Sequence, residues 1–296
     1  MRWADKGFVA VDWGSSARRA YVLDGNGRVL DEMEDDLGTL TVPRGEFGAA
    51  VEALRSRFGD APMLMAGMVG SNRGWIEAPY VPCPASLADI AARLCWAEPG
   101  RVAIVPGLSL IEGDDADVMR GEEAQVLGLA AMATGERATV CHPGTHTKWI
   151  DVAGGRVTRF QTVMTGELFS LLKRHSILAD LLGPEAVVGP AFLQGVERGF
   201  ASGDLGAELF AVRARVLLGV GERDDAASRA SGILIGCDIR TGLAESGVDQ
   251  AIQVVGRGSL TALYAAALRH VGRRPEEIDG ADAFIGGMRA LAATIG

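Results

Sequence analysis

Residues 8–16 read FVAVDWGSS, an apolar run that ends in a small, hydroxyl-rich turn. The run predicts a buried strand, Phe8 to Trp13, and Gly14 permits a sharp turn after it. The N–H groups and hydroxyls of Ser15 and Ser16 would then face a phosphate, and Asp12 at the strand end would hold Mg²⁺. Many ordinary strand-to-turn junctions share these residues, so this motif alone indicates little.

A second turn repeats this chemistry at residues 143–149, which read PGTHTKW. Gly144, Thr145 and His146 lie between a predicted strand, Ala138 to His142, and the start of a β-meander. We interpret the two turns as phosphate-binding hairpins that hold one polyphosphate from opposite sides. His142 and His146 lie on a loop without a third ligand, so the pair does not indicate zinc.

A third turn, Gly256-Arg257-Gly258-Ser259, joins a predicted strand, Ala251 to Val255, to a helix from Leu260. It would let the backbone approach a flat ligand or a phosphate closely. Thr261 replaces the third glycine of the dinucleotide fingerprint, so a Rossmann site is not indicated. The sequence also contains no GxxxxGK[ST], which disfavours a P-loop kinase.

Strand and helix patterns alternate along the rest of the 296 residues. Both halves begin with a meander and continue as helix and strand, which predicts a duplicated α/β architecture with ligands bound in a cleft between two lobes. We place the N-terminal lobe at 1–117 and the C-terminal lobe at 118–296, with the last helix packing back on the first lobe. A single mixed-sheet enzyme is the alternative that the pattern leaves open.

Composition excludes several classes of protein. The formal net charge is −9 without a run of Lys and Arg, which disfavours nucleic acid as a partner. The cysteines share no C-x-x-C spacing, so neither a zinc site nor a disulfide framework is indicated. We find no signal region and no apolar run of about 20 residues, and we therefore expect a cytoplasmic protein without a membrane partner.

Longer peptides carry a family resemblance. They are Ala66 to Asn72, Gly74-Trp75, Ala78 to Tyr80, Val118 to Glu123, Pro143 to His146 and Thr162 to Leu168. The three turns resemble the phosphate-1, phosphate-2 and adenosine motifs of the actin, hexokinase and glycerol kinase superfamily. The longer peptides resemble the 2-dehydro-3-deoxygalactonokinases over nearly the whole chain.

This resemblance implies two actin-like (ribonuclease H-like) ATPase lobes, each a mixed sheet flanked by helices. It also implies transfer of a phosphoryl group from ATP, with Mg²⁺, to the 6-hydroxyl of 2-dehydro-3-deoxy-D-galactonate. The ATP-binding residues would be those of the three turns: Asp12, Gly14, Ser15, Ser16, Gly144, Thr145, His146, Gly256, Gly258 and Ser259.

Glu122 is the residue that we expect to accept the hydroxyl proton. Related sugar kinases place an acid, usually Asp, after a glycine at a helix start before the phosphate-2 turn, and Gly121-Glu122-Glu123 occupies that position. Glu123 is the alternative base. Both acids would otherwise simply stabilise a helix N-terminus.

A site that binds a sugar acid needs a cationic side chain for the carboxylate and several hydrogen-bonding partners for the hydroxyls. The loop residues Ser71, Asn72, Arg73 and Trp75 are the main candidates, and Arg18, Arg120 and Glu167 are further ones. Three other functions stay open: a kinase for another sugar or sugar acid, an actin-like ATPase without an acceptor, and a sugar-sensing regulator. The sequence also leaves a homodimer open.

Overall fold

The computed structural model describes residues 2–132, 137–244 and 251–296. The strands are β1 (Phe8–Trp13), β2 (Arg18–Leu23), β3 (Val29–Asp35), β4 (Met63–Gly67), β5 (Val81–Pro82), β6 (Ala85–Ser86), β7 (Cys95–Glu98), β8 (Val102–Ile104), β9 (Leu108–Glu112), β10 (Asp115–Met119), β11 (Ala138–His142), β12 (Thr147–Ala153), β13 (Arg156–Val163), β14 (Ala251–Gly256) and β15 (Pro275–Asp279). The helices are α1 (Trp3–Lys6), α2 (Phe47–Phe58), α3 (Leu87–Ala91), α4 (Glu122–Met132), α5 (Thr165–His175), α6 (Pro190–Ala201), α7 (Leu205–Leu217), α8 (Ala226–Gly242), α9 (Gly258–His270) and α10 (Gly280–Ala292).

The chain packs into two compact units. One comprises Met1–Glu136, Val152–Phe160 and Gly280–Gly296, and the other comprises Arg137–Asp151 and Gln161–Asp279. The α/β prediction with two sheet-containing units is confirmed. The lobe bounds at 117 and 118 and the cleft stay predictions.

The first unit is built on a sheet in the order β3-β2-β1-β4-β8-β7. The predicted opening meander is present, since β1 pairs antiparallel with β2 and β2 with β3. β4 then adds to β1 in parallel, so the carboxyl ends of the two strands share one edge of the sheet. Val11, Trp13 and Met65 belong to the buried core behind that edge.

The second unit contains strands in the order β15-β14-β11-β12. β14 lies parallel to β11 on one side and to β15 on the other. Residues from the strands, from α6 and α8 and from α9 form its core, for example Cys141, Ile235 and Tyr264. The carboxyl end of β14 leads through Arg257 into α9, which places the third turn at that end of the sheet.

Several elements differ from the sequence prediction. The sequence pattern predicts neither β7 nor the hairpin of β9 and β10. It predicts a helix from Leu87 to Leu94, whereas α3 ends at Ala91. The short strand β7 forms because it pairs with β8, a tertiary contact that local propensity does not reveal. The spacing of apolar residues predicts a helix from Ala226 to Ser246. The observed helix, α8, ends at Gly242, and residues 245 and 246 lie outside the described part of the chain.

No helix in the described part of the chain combines the length and the apolar character that crossing a bilayer requires.

Candidate functional site

The turn after β1 is fixed by backbone hydrogen bonds. The N–H of Gly14 donates to the carbonyl oxygen of Ala17 at 2.9 Å, which closes the turn around Ser15 and Ser16. Thr39 and Leu40 donate to the carbonyls of Gly14 and Ser15 at 3.0 and 3.1 Å. The hydrogen bonds from Thr39 and Leu40 therefore hold the turn in place, and the Ser16 side chain is exposed.

Asp12 lies at the carboxyl end of β1, opposite Ala66 of β4. Its side chain is 26% exposed, and its carboxylate lies 3.8 Å from Nη1 of Arg19. The pKa of Asp12 is raised to about 6, chiefly by burial; the charge of Arg19 opposes the shift, and the charges of Glu122 and Glu34 add to it. Burial and the nearby carboxylates disfavour the ionised form of Asp12, so a bound cation would stabilise that form.

The start of α4 approaches the same edge. Gly67 at the end of β4 and Gly121 before α4 have φ of +95° and +111°, in the left-handed region that favours glycine. A Cβ on Gly67 would lie 2.8 Å from the carbonyl oxygen of Trp13, and one on Gly121 would lie 3.3 Å from the Cα of Gly67. Close backbone packing therefore brings the ends of β1 and β4 and the start of α4 together.

Glu122 and Glu123 differ sharply in environment. Glu122 is half-buried, and one of its carboxylate oxygens accepts from the N–H of Arg120 at 3.1 Å. Glu123 is fully buried, and its Oε2 accepts from the N–H of Gly121 at 2.6 Å. Its Oε1 is buried without a hydrogen-bond partner among the described residues. Burial, and then the charge of Glu122, raise the pKa of Glu123 to about 8, so its carboxyl group is mostly protonated at pH 7.

This raised pKa predicts a pH-dependent stability. The folded chain keeps the Glu123 proton up to about pH 8, whereas the unfolded chain loses it near the ordinary value of 4.5. The folded state binds more protons in this window, so the free energy of unfolding should fall as pH rises, by at most about 1.4 kcal/mol per pH unit. Urea unfolding of the wild type and of Glu123→Gln at several pH values from 6 to 8 measures how the free energy of unfolding changes with pH. We expect a shallower slope in the variant; equal slopes would contradict the buried, protonated carboxyl group.

The loop after β4 contains the main substrate candidates. Ser71 is buried, and its hydroxyl donates to the carbonyl oxygen of Met68 at 2.7 Å. Asn72 and Arg73 are exposed. Trp75 is partly buried and packs on the core of the first unit. Of these four residues, Asn72 and Arg73 present their side chains to solvent.

Two arginines of the first unit occupy very different positions. Arg120 lies over the Tyr80 ring at 4.4 Å, and its Nη2 donates to the carbonyl oxygen of Ala78 at 2.7 Å. Its Nε and Nη1 are buried without a hydrogen-bond partner among the described residues. Arg18 is 2% exposed, binds Asp35 through Nε and Nη2, and donates from Nη1 to Ala50. Arg18 stays a predicted substrate ligand, but its own hydrogen bonds weigh against that role.

In the second unit the turn after β11 packs on the start of α5. Nε2 of His146 lies 2.5 Å from Oε2 of Glu167, and the N–H of Glu167 donates to the carbonyl oxygen of Thr145 at 2.9 Å. A Cβ on Gly166 would lie 2.4 Å from the carbonyl oxygen of Gly144. Glu167, which we predicted as a substrate ligand, therefore contacts the predicted phosphate-2 turn.

A cavity of about 220 Å³ opens beside this turn, within the second unit. Its walls are largely apolar and come from α5, α8 and α9: Phe169, Leu234, Ile235, Leu260 and Leu263. Gly144, Gly166 and Ser259 also line it, so two of the three predicted turns meet there. Gly256 and Gly258 of the third turn do not line this cavity.

Sequence reasoning missed Asp238 on α8. This residue is 1% exposed and accepts hydrogen bonds from Trp149, Thr165 and Tyr264, of which the last two line the cavity. An acid within the apolar run Gly232 to Ile239 was the available signal, because an unpaired charge is rarely buried.

Comparison with known proteins identifies the family. The sequence profile of 2-keto-3-deoxy-galactonokinase matches residues 12–291. The chain belongs to the 2-keto-3-deoxy-galactonokinase family. The resemblance predicted from the peptides is thus confirmed, and with it the enzyme class, a sugar-acid kinase.

Individual relatives agree with this assignment. A protein of Rhizobium meliloti (strain 1021) is 38% identical over 298 residues, and one of Escherichia coli (strain K12) is 36% identical over 291 residues. Both carry the name 2-dehydro-3-deoxygalactonokinase; the matches cover 97% of this chain and 97% and 98% of the two relatives.

Solved structures give the same fold. A crystal structure from Sinorhizobium meliloti, described under the same enzyme name, matches with a TM-score of 0.91 at 36% identity and covers 96% of this chain and 98% of that one. The activator of 2-hydroxyisocaproyl-CoA dehydratase from Clostridium difficile, solved with bound ADPNP, has a TM-score of 0.52 at 14% identity and covers 97% of this chain and 94% of its own. At that identity the second likeness concerns the fold alone.

Proposed function

We propose that this chain transfers the γ-phosphoryl group of ATP to the 6-hydroxyl of 2-dehydro-3-deoxy-D-galactonate, giving 2-dehydro-3-deoxy-6-phospho-D-galactonate in galactonate catabolism. The observation that carries this proposal is the near-complete match to two relatives that bear the name of this kinase. The described residues supply chemistry for each part of the reaction, as follows.

The cavity of the second unit is the proposed nucleoside site. Its apolar walls suit a flat base and its volume suits a group of that size. Gly144 at its edge belongs to the turn whose backbone would bind the phosphates, together with Thr145 and His146. Ser259, in the first turn of α9, supplies a hydroxyl, and the positive end of the α9 helix dipole lies at the same place.

Asp12 is the proposed ligand of Mg²⁺, directly or through water. Mg²⁺ in kinases usually takes one or two carboxylates, with phosphates and water completing its six ligands. The raised pKa of Asp12 and the neighbouring charge of Glu122 fit a bound cation. When bound, Mg²⁺ would screen the phosphate charges. Ser15, Ser16 and Gly14 would bind phosphate oxygens through N–H groups and hydroxyls.

Glu122 is the proposed general base. It is half-buried and acts electrostatically on Asp12, so it lies near the proposed metal ligand. Glu123 is fully enclosed and mostly protonated at pH 7, which disfavours it as a proton acceptor. We assign Glu123 to the support of the α4 start, through its hydrogen bond with Gly121.

Asn72 and Arg73 are the proposed ligands of the sugar acid. Both are exposed on the loop after β4, and the Arg73 guanidinium can bind a carboxylate with two parallel hydrogen bonds. Arg120 lies over Tyr80 and donates to Ala78, and Ser71 ties the loop to Met68. We therefore propose that Arg120 and Ser71 hold the loop in place for the acceptor.

A coupled assay of ADP release across 2-keto-3-deoxy sugar acids, with a no-acceptor control, tests the function. We expect release that depends on 2-dehydro-3-deoxy-D-galactonate, and a product phosphorylated at the 6-position by ³¹P and ¹³C NMR. If the enzyme prefers another sugar acid, that compound would take the place of 2-dehydro-3-deoxy-D-galactonate as the assigned substrate. ADP release that is the same without any acceptor would overturn the kinase proposal in favour of an ATPase.

Gly166→Ala tests the packing of α5 on the phosphate-2 turn. Its methyl group would meet the Gly144 carbonyl, and overpacking of this kind costs about 1–3 kcal/mol. The turn has to shift to relieve this overlap, and the shift moves its phosphate-binding groups. A loss of 1.4 kcal/mol in binding is a factor of ten, so we expect the KM for ATP to rise about tenfold. Gly203→Ala is the control, since a Cβ there meets nothing within 4 Å. Equal KM values for the two variants would argue against the assigned turn.

A further inference from the structure

A single buried carboxylate joins four elements of the second unit. Oδ1 of Asp238, on α8, accepts from Nε1 of Trp149 on β12 at 2.6 Å. Oδ2 accepts from the hydroxyls of Thr165 at the start of α5 and Tyr264 on α9. The hydroxyls of Thr147 and Tyr264 lie 2.8 Å apart and extend the network to the first residue of β12.

Two of the three hydrogen-bond partners of Asp238 lie at the proposed nucleotide site. Thr165 and Tyr264 line the cavity, whereas Asp238 does not. Thr147 directly follows His146 of the phosphate-2 turn, and Thr165 directly precedes Gly166, which touches that turn. Moving any of the three hydroxyls of the network would therefore move a wall of the cavity or the turn beside it.

The network also explains why an acid occupies this buried position. A carboxylate is an acceptor with about four lone-pair sites, so it can satisfy three donors at once. Burial raises the pKa of Asp238 above its ordinary value, and the hydrogen bonds from Thr165, Tyr264 and Trp149 oppose that shift without cancelling it. An asparagine of the same shape carries an N–H₂ group where Oδ1 or Oδ2 stood, and that group cannot accept from these donors.

We propose that Asp238 is a positioning residue for the nucleotide: it holds the start of α5 and the middle of α9 at the spacing that the nucleoside needs. The inference rests on the proposed function, because it takes the cavity as the nucleoside site. It predicts a selective effect. Loss of the carboxylate weakens nucleotide binding and leaves binding of the sugar acid, which we assign to the first unit, unchanged.

Asp238→Asn is the primary test. We expect its KM for ATP and its Kd for ADP, measured by calorimetry, to rise about tenfold, the effect of losing one buried hydrogen bond. The KM for the sugar acid should change less than about twofold. Thr165→Val removes one donor, so it should also weaken nucleotide binding, and it serves as the test if Asp238→Asn folds poorly. Thr165→Ser keeps the hydroxyl and should keep the nucleotide affinity of the wild type.

Glu208→Gln is the matched control. Glu208 is another buried carboxylate of the second unit, 7% exposed, which binds Arg198 at 2.6 and 2.9 Å and does not line the cavity. A merely structural role for Asp238 predicts that both variants lose thermal stability with unchanged nucleotide affinity, and that result would overturn the proposal.

The test separates this proposal from the proposed function. Nucleotide binding by the wild type without turnover of any sugar acid would refute the assigned acceptor, yet the Kd values would still decide the role of Asp238. Unchanged Kd values in both Asp238→Asn and Thr165→Val would refute the positioning role and leave the kinase function standing. A wild type that binds no nucleotide would overturn both.

Discussion

Replacing Glu122 with glutamine is expected to stop phosphoryl transfer while leaving nucleotide binding nearly intact. Glutamine keeps the size of the side chain but cannot take the proton of the acceptor hydroxyl, and a general base typically contributes about 10²–10⁴ in rate. We therefore expect kcat to fall within that range while the Kd for ADP stays within about twofold. Coupled ADP-release kinetics and calorimetry give the two quantities.

Glu123→Gln is the matched control for this experiment, because the two acids are adjacent in sequence. Burial already keeps the Glu123 carboxyl group mostly protonated at pH 7, so an uncharged amide replaces an uncharged acid. We expect kcat within about threefold of wild type. Loss of transfer in Glu123→Gln with retained transfer in Glu122→Gln would reverse the assignment of the base.

Replacing Asp12 with asparagine is expected to weaken activation by Mg²⁺ strongly. An amide is a weaker ligand for a hard cation than a carboxylate, and the transition state of phosphoryl transfer depends on charge stabilisation. We expect kcat to fall about 10²-fold or more, and higher Mg²⁺ concentrations to recover part of it. Stability should not fall with it, since burial already disfavours the ionised Asp12. Kinetics over a Mg²⁺ titration and thermal unfolding measure both effects.

Glu34→Gln controls for the loss of a negative charge near Asp12. Glu34 is 59% exposed, pairs with Arg19 at 2.9 Å and contributes to the raised pKa of Asp12. It has no assigned ligand role, so the Mg²⁺ dependence of this variant should match wild type. An unchanged Mg²⁺ dependence in Asp12→Asn would rule out Asp12 as the metal ligand.

Secondary structure could be predicted where the signal was local. β1 and β11 have the predicted bounds, because their apolar runs end just before a glycine and a proline. The two acidic residues at 122 and 123 and the apolar residues after them predict a helix from Glu122 to Met132, and α4 has these bounds. The prediction failed for β7 and for the hairpin of β9 and β10. Those strands are short and partly exposed, and pairing with other strands defines them.

In the candidate site, too, the features with a local signal in the sequence could be predicted, and those that depend on distant residues could not. The turns at Gly14 and Gly144 were found because glycine and small hydroxylated residues leave a signature in the sequence. The difference between Glu122 and Glu123 was not visible, since it depends on which side of α4 packs against the rest of the first unit. The network of Asp238 was not visible either, because its partners Trp149 and Tyr264 are 89 and 26 residues away in sequence.

The sequence by itself determined the α/β class, the turn chemistry and, through its long peptides, the family. These depend on residue types that lie next to one another along the chain. Only the tertiary structure decided which acid is enclosed, that Arg18 is engaged by Asp35 and Ala50, and that one carboxylate ties the walls of the cavity together. Burial and hydrogen bonding set the charge of a side chain and the donors that it satisfies, and both arise between residues that are distant in sequence.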